Sequence, residues 1–249
     1  DDFVDGCRKA DQKPFISMRL NDVHHRHHAE TPRNTRGIHS ISRFYVEHPE
    51  WRLGAAGSGL DWSVPEVRQH MFAFIEEICG NYDIAGFELD FMRFPKFFKD
   101  DVPVDRRTEI ITQFVTDVRA LLDRTSKPGQ HRWLCARVPC LLDMHADVGI
   151  DLPSLVDAGV EMLNLSASYF TFQAHDVAKI RRLVPDVALY LEMCHCTMTG
   201  QRLTTTGGDN FLFMRTTDQQ YYTTAHVAYR RGVDGVSLFN FVYYRDHGV

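Results

Sequence analysis

The sequence lacks the features of three large classes of protein. No apolar run approaches the roughly 18 residues of a membrane-spanning helix, so no membrane span is predicted. The formal net charge of −5 argues against a nucleic acid as the main partner, because such partners require a surplus of basic residues. The six cysteines show no spacing typical of a disulfide scaffold, and we expect free, mostly buried thiols.

A glycine-rich phosphate-binding turn is also missing after every predicted strand. This absence argues against a doubly wound sheet that binds a dinucleotide, which is the main alternative fold. We predict no cofactor. We also predict no bound metal ion, because a loop with adjacent histidines, as at His24 to His28, rarely supplies a metal site alone. The sequence carries no indication of an oligomeric state.

Strand-like and helix-like patterns alternate along the chain, which is typical of βα units and a parallel sheet. One helix is predicted from Pro65, with Ser63 as its N-cap, and a second over Ile110–Leu122. Weaker helices are predicted over Leu152–Ala158, Asp176–Leu183 and Asp218–Arg231, and the last of these ends at Gly232. Six strands are predicted, at Phe15–Leu20, Ile84–Phe91, Trp133–Val138, Met162–Ala167, Ala188–Met193 and Gly235–Phe241.

These units predict an α/β fold of the (β/α)8 TIM-barrel type. The chain has 249 residues, 44% of them hydrophobic, which matches one barrel domain of about 250 residues. Because six strands are visible rather than eight, we expect residues 1–249 to form the later part of a single barrel, with its first strands upstream or missing. The chain does not begin with Met, so we expect a processed or trimmed N-terminus.

Polar residues follow all six predicted strands. In α/β barrels the active site lies at this carboxyl end of the strands, so we expect these side chains to meet there. The second strand carries the most informative pair, Glu88 and Asp90, within an otherwise apolar run. Side chains alternate across a strand, so both carboxylates lie on one face, where an unpaired buried charge would be costly.

The segments around this strand resemble a known family. Asp61-Trp62-Ser63-Val64-Pro65-Glu66-Val67-Arg68 fits the pattern D-x-S-x-P-x-V-R, and Tyr82 to Pro95 fits most of Y-D-x-D-G-I-x-x-D-x-x-R-[FY]-P. Both patterns are similar to those of the glycoside hydrolases grouped as glycosyl-hydrolase-like family 10. Asp90, Arg93 and Pro95 match, whereas Ala85 stands where the family has an acid. The resemblance implies a TIM-barrel carbohydrate-active enzyme acting outside the cytoplasm, secreted or periplasmic.

The residues themselves predict hydrolysis of glycosidic bonds in a poly- or oligosaccharide, because two carboxylates flanking a bond are the minimum for this reaction. Asp90 is expected to act as nucleophile or base and Glu192, chosen on position alone, as general acid. Glu88, the third predicted catalytic residue, and Arg93 would tune Asp90, although Glu88 could instead be paired with Arg19 or Arg137. The predicted substrate-binding residues are Arg19, Asn21, Asp22, His24, Arg93, Arg137, Asn164, Tyr169 and Asn240.

Three alternatives remain open at this stage. The arginines among these residues fit either an anionic sugar or simple neutralisation of the acids. A metal-dependent hydrolase could use Asp22, His24, His27 and Asp90 as ligands. A carbohydrate-binding barrel without activity is the third alternative, and Ala85 is the feature that favours it.

Overall fold

The computed structural model describes residues 2–30, 41–197 and 214–239. Its strands are β1 (Phe15–Arg19), β2 (Gly86–Asp90), β3 (Trp133–Pro139), β4 (Met162–Ser166), β5 (Phe170–Thr171), β6 (Ala188–Cys194), β7 (Cys196–Thr197), β8 (Met214–Arg215) and β9 (Gly235–Phe239). Six of them form a parallel sheet in the order β1-β2-β3-β4-β6-β9, and β5, β7 and β8 form a small separate sheet.

The six strands of the large sheet are those predicted from the sequence, with ends shifted by at most two residues where the ends are described. They are neighbours in chain order, without the reversal of strand order that a doubly wound sheet requires. This order is that of successive βα units in a barrel. Among the described residues β1 and β9 each pair on one side only, so closure into eight strands stays a prediction.

Eight α-helices lie in the described part of the chain. They are α1 (Asp2–Lys9), α2 (Arg43–Glu47), α3 (Pro65–Asn81), α4 (Val104–Thr125), α5 (His145–Val148), α6 (Leu152–Asp157), α7 (Val177–Leu183) and α8 (Asp218–Arg231). Helix α8 has the predicted bounds and ends at Gly232, whose φ of 104° is readily adopted by glycine. No helix in these described segments is long and apolar enough to cross a membrane.

The longer helices bury an apolar side, as their periodicity predicts. Helix α4 buries the expected residues Ile110, Ile111, Phe114, Val118, Leu121 and Leu122. Helical spacing in α3 predicts one apolar side with Val67, Met71, Phe74, Ile75 and Ile78. The helix buries Val67, Met71 and Ile75, but the prediction for Phe74 is wrong. The Phe74 side chain is 44% exposed and packs edge-on against the ring of His70, because it lies beyond the side of the helix that contacts the core.

The predicted N-cap of α3 was also wrong. The helix begins with Val64 at the N-cap position and Pro65 in the first turn, without a capping side chain. Instead, Ser63 donates from its backbone N–H (2.9 Å) and its hydroxyl (2.7 Å) to Oδ1 of Asp61. The charged carboxylate of Asp61 is a strong acceptor for these donors, so Ser63 forms a turn before the helix instead of capping it.

The two sides of the large sheet differ in polarity. Its apolar side, with Phe87 and Leu89 on β2 and Leu189 and Leu191 on β6, is buried in the hydrophobic core. The opposite side carries the hydroxyl, amide and charged groups of alternate residues, which hydrogen-bond to one another across the strands. The candidate site is therefore built by the register of the strands.

Candidate active site

Arg137, in β3, is the centre of the polar side at the carboxyl end of the strands. Its guanidinium donates from Nε (2.5 Å) and Nη2 (2.7 Å) to the two oxygens of Glu192 and from Nη1 (2.8 Å) to Oδ1 of Asp90. All three side chains are buried, with 2–3% of each residue exposed. The two predicted catalytic carboxylates, from β2 and β6, are thus joined by one arginine.

The role predicted for Arg137 changes with this geometry. We expected a sugar ligand, but its hydrogen bonds go to the two acids and to the hydroxyl of Ser166 (2.9 Å). The ring of Phe239 covers its guanidinium, with 4.4 Å from Cζ to the ring centroid. Arg137 therefore positions the carboxylates and fixes their charge, and the attraction of Glu192 and Asp90 raises its own pKa although burial lowers it.

The two acids differ in their surroundings. Burial raises the pKa of Glu192, and the attraction of Arg137 offsets this only in part. Asp90 uses Oδ1 to accept hydrogen bonds from Arg137 and from the backbone N–H groups of Met92 (2.8 Å) and Arg93 (3.1 Å). Its Oδ2 has no hydrogen-bond partner among the described residues. Burial thus raises the pKa of Glu192, whereas Asp90 keeps one oxygen, Oδ2, without a hydrogen bond from the described residues.

Ser166, in β4, is a site residue that the sequence-based prediction left out. Its hydroxyl donates to Oε1 of Glu192 at 2.7 Å and accepts from the N–H of Ser168 at 2.9 Å. The signal was available, because Ser166 lies two residues after Asn164 and so on the same side of the strand.

Glu88 lies one layer below Asp90 and is not paired with an arginine. Its carboxylate accepts hydrogen bonds from the hydroxyl of Ser17 (2.6 Å) and the amide of Asn164 (3.1 Å). The suggested ion pair with Arg19 or Arg137 is therefore wrong, since Arg19 pairs with Asp22 instead. Asn164 also accepts from Ser237 (2.7 Å), so it links layers of the sheet.

A second polar cluster follows β1 and β2. His24 contacts Asp22 through Nδ1 and Arg93 through Nε2, the latter at 2.8 Å. Arginine has only donors, so Nε2 of His24 accepts and the proton of a neutral ring lies on Nδ1, facing Asp22. Burial raises the pKa of Asp22, but hydrogen bonds from the His24 backbone and ring and from Arg19 outweigh it and lower that pKa to about 2.

Aromatic rings hold Arg93 in place. Its guanidinium lies over the ring of Tyr169 at 4.6 Å and near that of Phe94 at 5.3 Å. Phe94 has a φ of 58° and Ser168, next to Tyr169, a φ of 60°. Such left-handed backbone costs free energy in residues other than glycine and is concentrated at functional sites. The loops after β2 and β4 therefore carry backbone strain beside Asp90 and Glu192.

Asn21 is placed differently from the prediction. It is fully buried, donates to the carbonyls of Leu60 and Lys96 (both 2.9 Å) and accepts from the N–H of Leu60 (2.8 Å). Gly59 permits this packing, because a Cβ there would come within 2.6 Å of the amide nitrogen. Asn21 therefore links the segments that contain Leu60 and Lys96. Its amide nitrogen and oxygen bond to these backbone groups and are not available to a sugar.

The remaining predictions are only partly covered by the structure. Asn240 lies outside the described residues. Within the described segments, no group of three or more His, Cys, Asp or Glu side chains is placed to hold one metal ion. Of the residues in the metal alternative, His24 contacts Asp22, whereas the ring of His27 packs on His28 at 3.9 Å.

Surface grooves do not by themselves identify the site. One groove of about 610 Å³ is lined by residues of α3 and α4, and another of about 660 Å³ by residues of α4 to α7 and their flanking loops. Neither is lined by the acids discussed above. A smaller cleft of about 310 Å³ lies beside Phe94 and Pro95, between the loops after β1 and β2. This cleft adjoins the Arg93 cluster.

Comparisons with known proteins give a likeness of fold. No family model matches the sequence, and no curated protein matches it. Among solved structures, Ega3 of Aspergillus fumigatus, in complex with galactosamine, has a TM-score of 0.55 at 11% identity, covering 95% of this chain and 79% of that one. The Bacillus subtilis protein ydhD, described as a sporulation-specific glycosylase, has a TM-score of 0.46 at 12% identity, over 90% of this chain and 65% of its own. An Anoxybacillus alpha-amylase has a TM-score of 0.45 at 12% identity, over 95% of this chain and 50% of its own. At these identities the likeness to Ega3 shows the fold alone: a parallel sheet of βα units of the kind found in that protein.

Proposed function

We propose that this protein is a glycoside hydrolase that cleaves glycosidic bonds in a poly- or oligosaccharide. Asp90 acts as nucleophile or base through its free oxygen, and Glu192 is the general acid. The observation that carries the proposal is the pair of buried carboxylates from β2 and β6 held by Arg137. This reaction requires a pair of carboxyl groups, and in barrel enzymes such groups lie at the carboxyl end of the strands.

Two further features support the assignment of roles. The raised pKa of Glu192 favours the protonated form that a general acid needs. Asp90 is held in place by hydrogen bonds from two backbone N–H groups and from Arg137. The fold neighbour Ega3 was solved with a sugar, galactosamine, and this supports a carbohydrate ligand here. Glu88 is a supporting acid, one layer deeper.

A carbohydrate-binding protein without activity is the second candidate. The observation that favours it is that Arg137 engages both oxygens of Glu192 and one of Asp90, as in a purely structural ion cluster. Catalysis requires Glu192 to deliver a proton past this arginine. The two candidates therefore differ in turnover and not in sugar binding.

The deciding experiment is a turnover assay on neutral, uronic, sulfated and amino-sugar glycans, comparing the wild type with Asp90→Asn and Glu192→Gln. Each substitution keeps the shape and removes the charge. We expect both to lower kcat by about 10³-fold with the sugar still bound, since an acid or nucleophile is lost. Glu109→Gln, on the surface of α4, is the matched control and should retain full activity.

Sugar binding by a wild type that turns over none of these glycans contradicts the hydrolase and favours the second candidate. Wild-type turnover that survives in Asp90→Asn contradicts the assigned role of that residue. Thermal unfolding of each variant shows whether a loss of activity follows from unfolding, because each variant leaves part of Arg137 without a charged partner.

A further inference from the structure

Arg93 is a buried cation without a carboxylate. Only 7% of the residue is exposed, and no carboxylate oxygen of the described residues lies within 4 Å of its guanidinium nitrogens. Buried charges in proteins are normally paired, because an unpaired one is energetically unfavourable. Asp22 pairs with Arg19 through Oδ2 and Asp90 pairs with Arg137 through Oδ1, and the free Oδ2 of Asp90 lies more than 4 Å from the guanidinium nitrogens of Arg93.

The donors of Arg93 are also incompletely used. Nη2 donates to His24, whereas Nε is buried without a hydrogen-bond partner and Nη1 has none among the described residues. The rings of Tyr169 and Phe94 lie against the guanidinium. Two of its three nitrogens, Nε and Nη1, therefore keep N–H groups that can donate to an oxyanion.

The electrostatic surroundings point the same way. Arg19 and Arg137 both repel Arg93, and together with burial they lower its pKa, against the attraction of Asp22 and Asp90. Arg19 lies at the exposed side of the cluster, where an incoming ligand would meet it. An anion arriving there would relieve this repulsion and complete the hydrogen bonds of Arg93.

We propose that Arg93, with Arg19 beside it, binds an anionic substituent on the sugar, a uronate carboxylate or a sulfate ester. This inference rests on the proposed function for the presence of a sugar and names the class of that sugar. The substituent lies beside the acids and next to the cleft at Phe94 and Pro95, which leaves room for the rest of the saccharide.

The test is a binding titration followed by NMR, so it does not depend on turnover. The probes are galacturonate tetrasaccharide, its methyl ester, in which only the charge is removed, and a sulfated galactan tetrasaccharide. We expect the wild type to bind at least one of the anionic probes about tenfold or more tightly than the neutral ester, because charge-assisted hydrogen bonds to arginine are the stronger ones. This preference should shrink as salt is added.

Arg93→Gln should bring the affinity for the anionic probe down to that for the ester, without changing the affinity for the ester. Arg19→Gln, an exposed position, should reduce the preference by a smaller factor. Arg124→Gln, an exposed arginine of α4, is the control and should change neither affinity. The tighter of the two anionic probes identifies the substituent.

Equal binding of both anionic probes and the ester by the wild type overturns the inference, as does a preference that persists in Arg93→Gln. If Arg93→Gln does not fold, the wild-type comparison and Arg19→Gln decide. A preference for the anionic probe without turnover of any glycan supports this inference and contradicts the proposed hydrolase activity. Turnover of glycans without such a preference supports the hydrolase activity and contradicts this inference.

Discussion

At the scale of single residues, Arg137 controls the charge of the site. It donates four hydrogen bonds, three of them to Asp90 and Glu192. Burial raises the pKa of Glu192, while Arg137 and Ser166 act in the opposite direction. A general acid works only while it is protonated, so activity should persist below the pKa of Glu192 and fall as the pH rises through it.

Ser166→Ala tests this balance. The hydroxyl of Ser166 donates to Glu192 and stabilises its anion, so its removal should raise the pKa of Glu192 further. We expect the basic limb of the kcat profile to move to higher pH and the free energy of unfolding to fall by about 1–2 kcal/mol. The measurement is a pH profile of kcat, with Ser154→Ala on α6 as the control. A basic limb that stays in place or moves to lower pH contradicts the assignment of Glu192 as general acid.

At the scale of elements, the packing of β2 against its neighbours depends on Gly86. A Cβ at this position would lie 2.3 Å from the ring of Phe15 and 2.8 Å from the carbonyl oxygen of Trp133. The ring can move, but the backbone carbonyl belongs to the adjacent strand β3. A side chain at Gly86 therefore strains the pairing that places Asp90 beside Arg137.

Gly86→Ala should therefore lower the free energy of unfolding by about 1–3 kcal/mol, the usual cost of overpacking. Gly80→Ala is the same substitution in α3, where a Cβ meets nothing within 4 Å. It should raise stability by up to about 1 kcal/mol, because alanine favours helix more than glycine does. Chemical denaturation of both variants measures the difference. Equal effects of the two substitutions contradict the steric argument.

The elements also show how far local sequence patterns determine structure. The six strands of the large sheet were predictable because each is an apolar or alternating run bounded by turn residues. The spacing of Ser63 to Glu66 fits a capping box and predicts Ser63 as the N-cap of α3. The hydroxyl of Ser63 instead donates to Asp61, two residues earlier. A local pattern identifies the element, and the nearest strong acceptor decides its end.

At the scale of the whole molecule, the described sheet has well-covered inner strands and less-covered edges. Leu238, on the apolar side of β9, is 52% exposed, whereas Leu165 and Leu191 at inner strands are buried. Strand β3 is paired on both sides, and β9 only with β6 among the described residues. Local openings are therefore expected to cost less free energy at β9 than at β3.

Hydrogen exchange measured by mass spectrometry tests this difference. Amides in peptides covering Trp133–Pro139 should exchange only through global unfolding, and those covering Gly235–Phe239 should exchange faster. Peptides of β4 serve as a second inner-strand reference. Equal protection of β3 and β9 contradicts the edge position of β9 and shows that it is covered in solution.

The positions of the candidate site residues in the sheet were predictable, and their contacts were less so. Strand ends of a parallel sheet meet at one edge, so the sequence was enough to bring Asp90, Glu192 and Arg137 together. It did not show that Arg137 binds both acids or that Asn21 is occupied by backbone, because these depend on side-chain directions across three or more strands. Spacing along one strand determines on which side of the sheet a residue lies, and the register between strands determines which side chain it hydrogen-bonds to.

The shared arginine also determines how an inactive form for trapping a bound saccharide should be made. Truncation of Glu192 to alanine would leave Arg137 buried with only Asp90 as a charged partner, so the arrangement of Arg137 and Asp90 would differ from that of the wild type. Glutamine at the same position keeps an oxygen for the guanidinium but places an amide against its donors. Substituting Asp90 by asparagine disturbs the arginine least, because Asp90 accepts only one of its four hydrogen bonds.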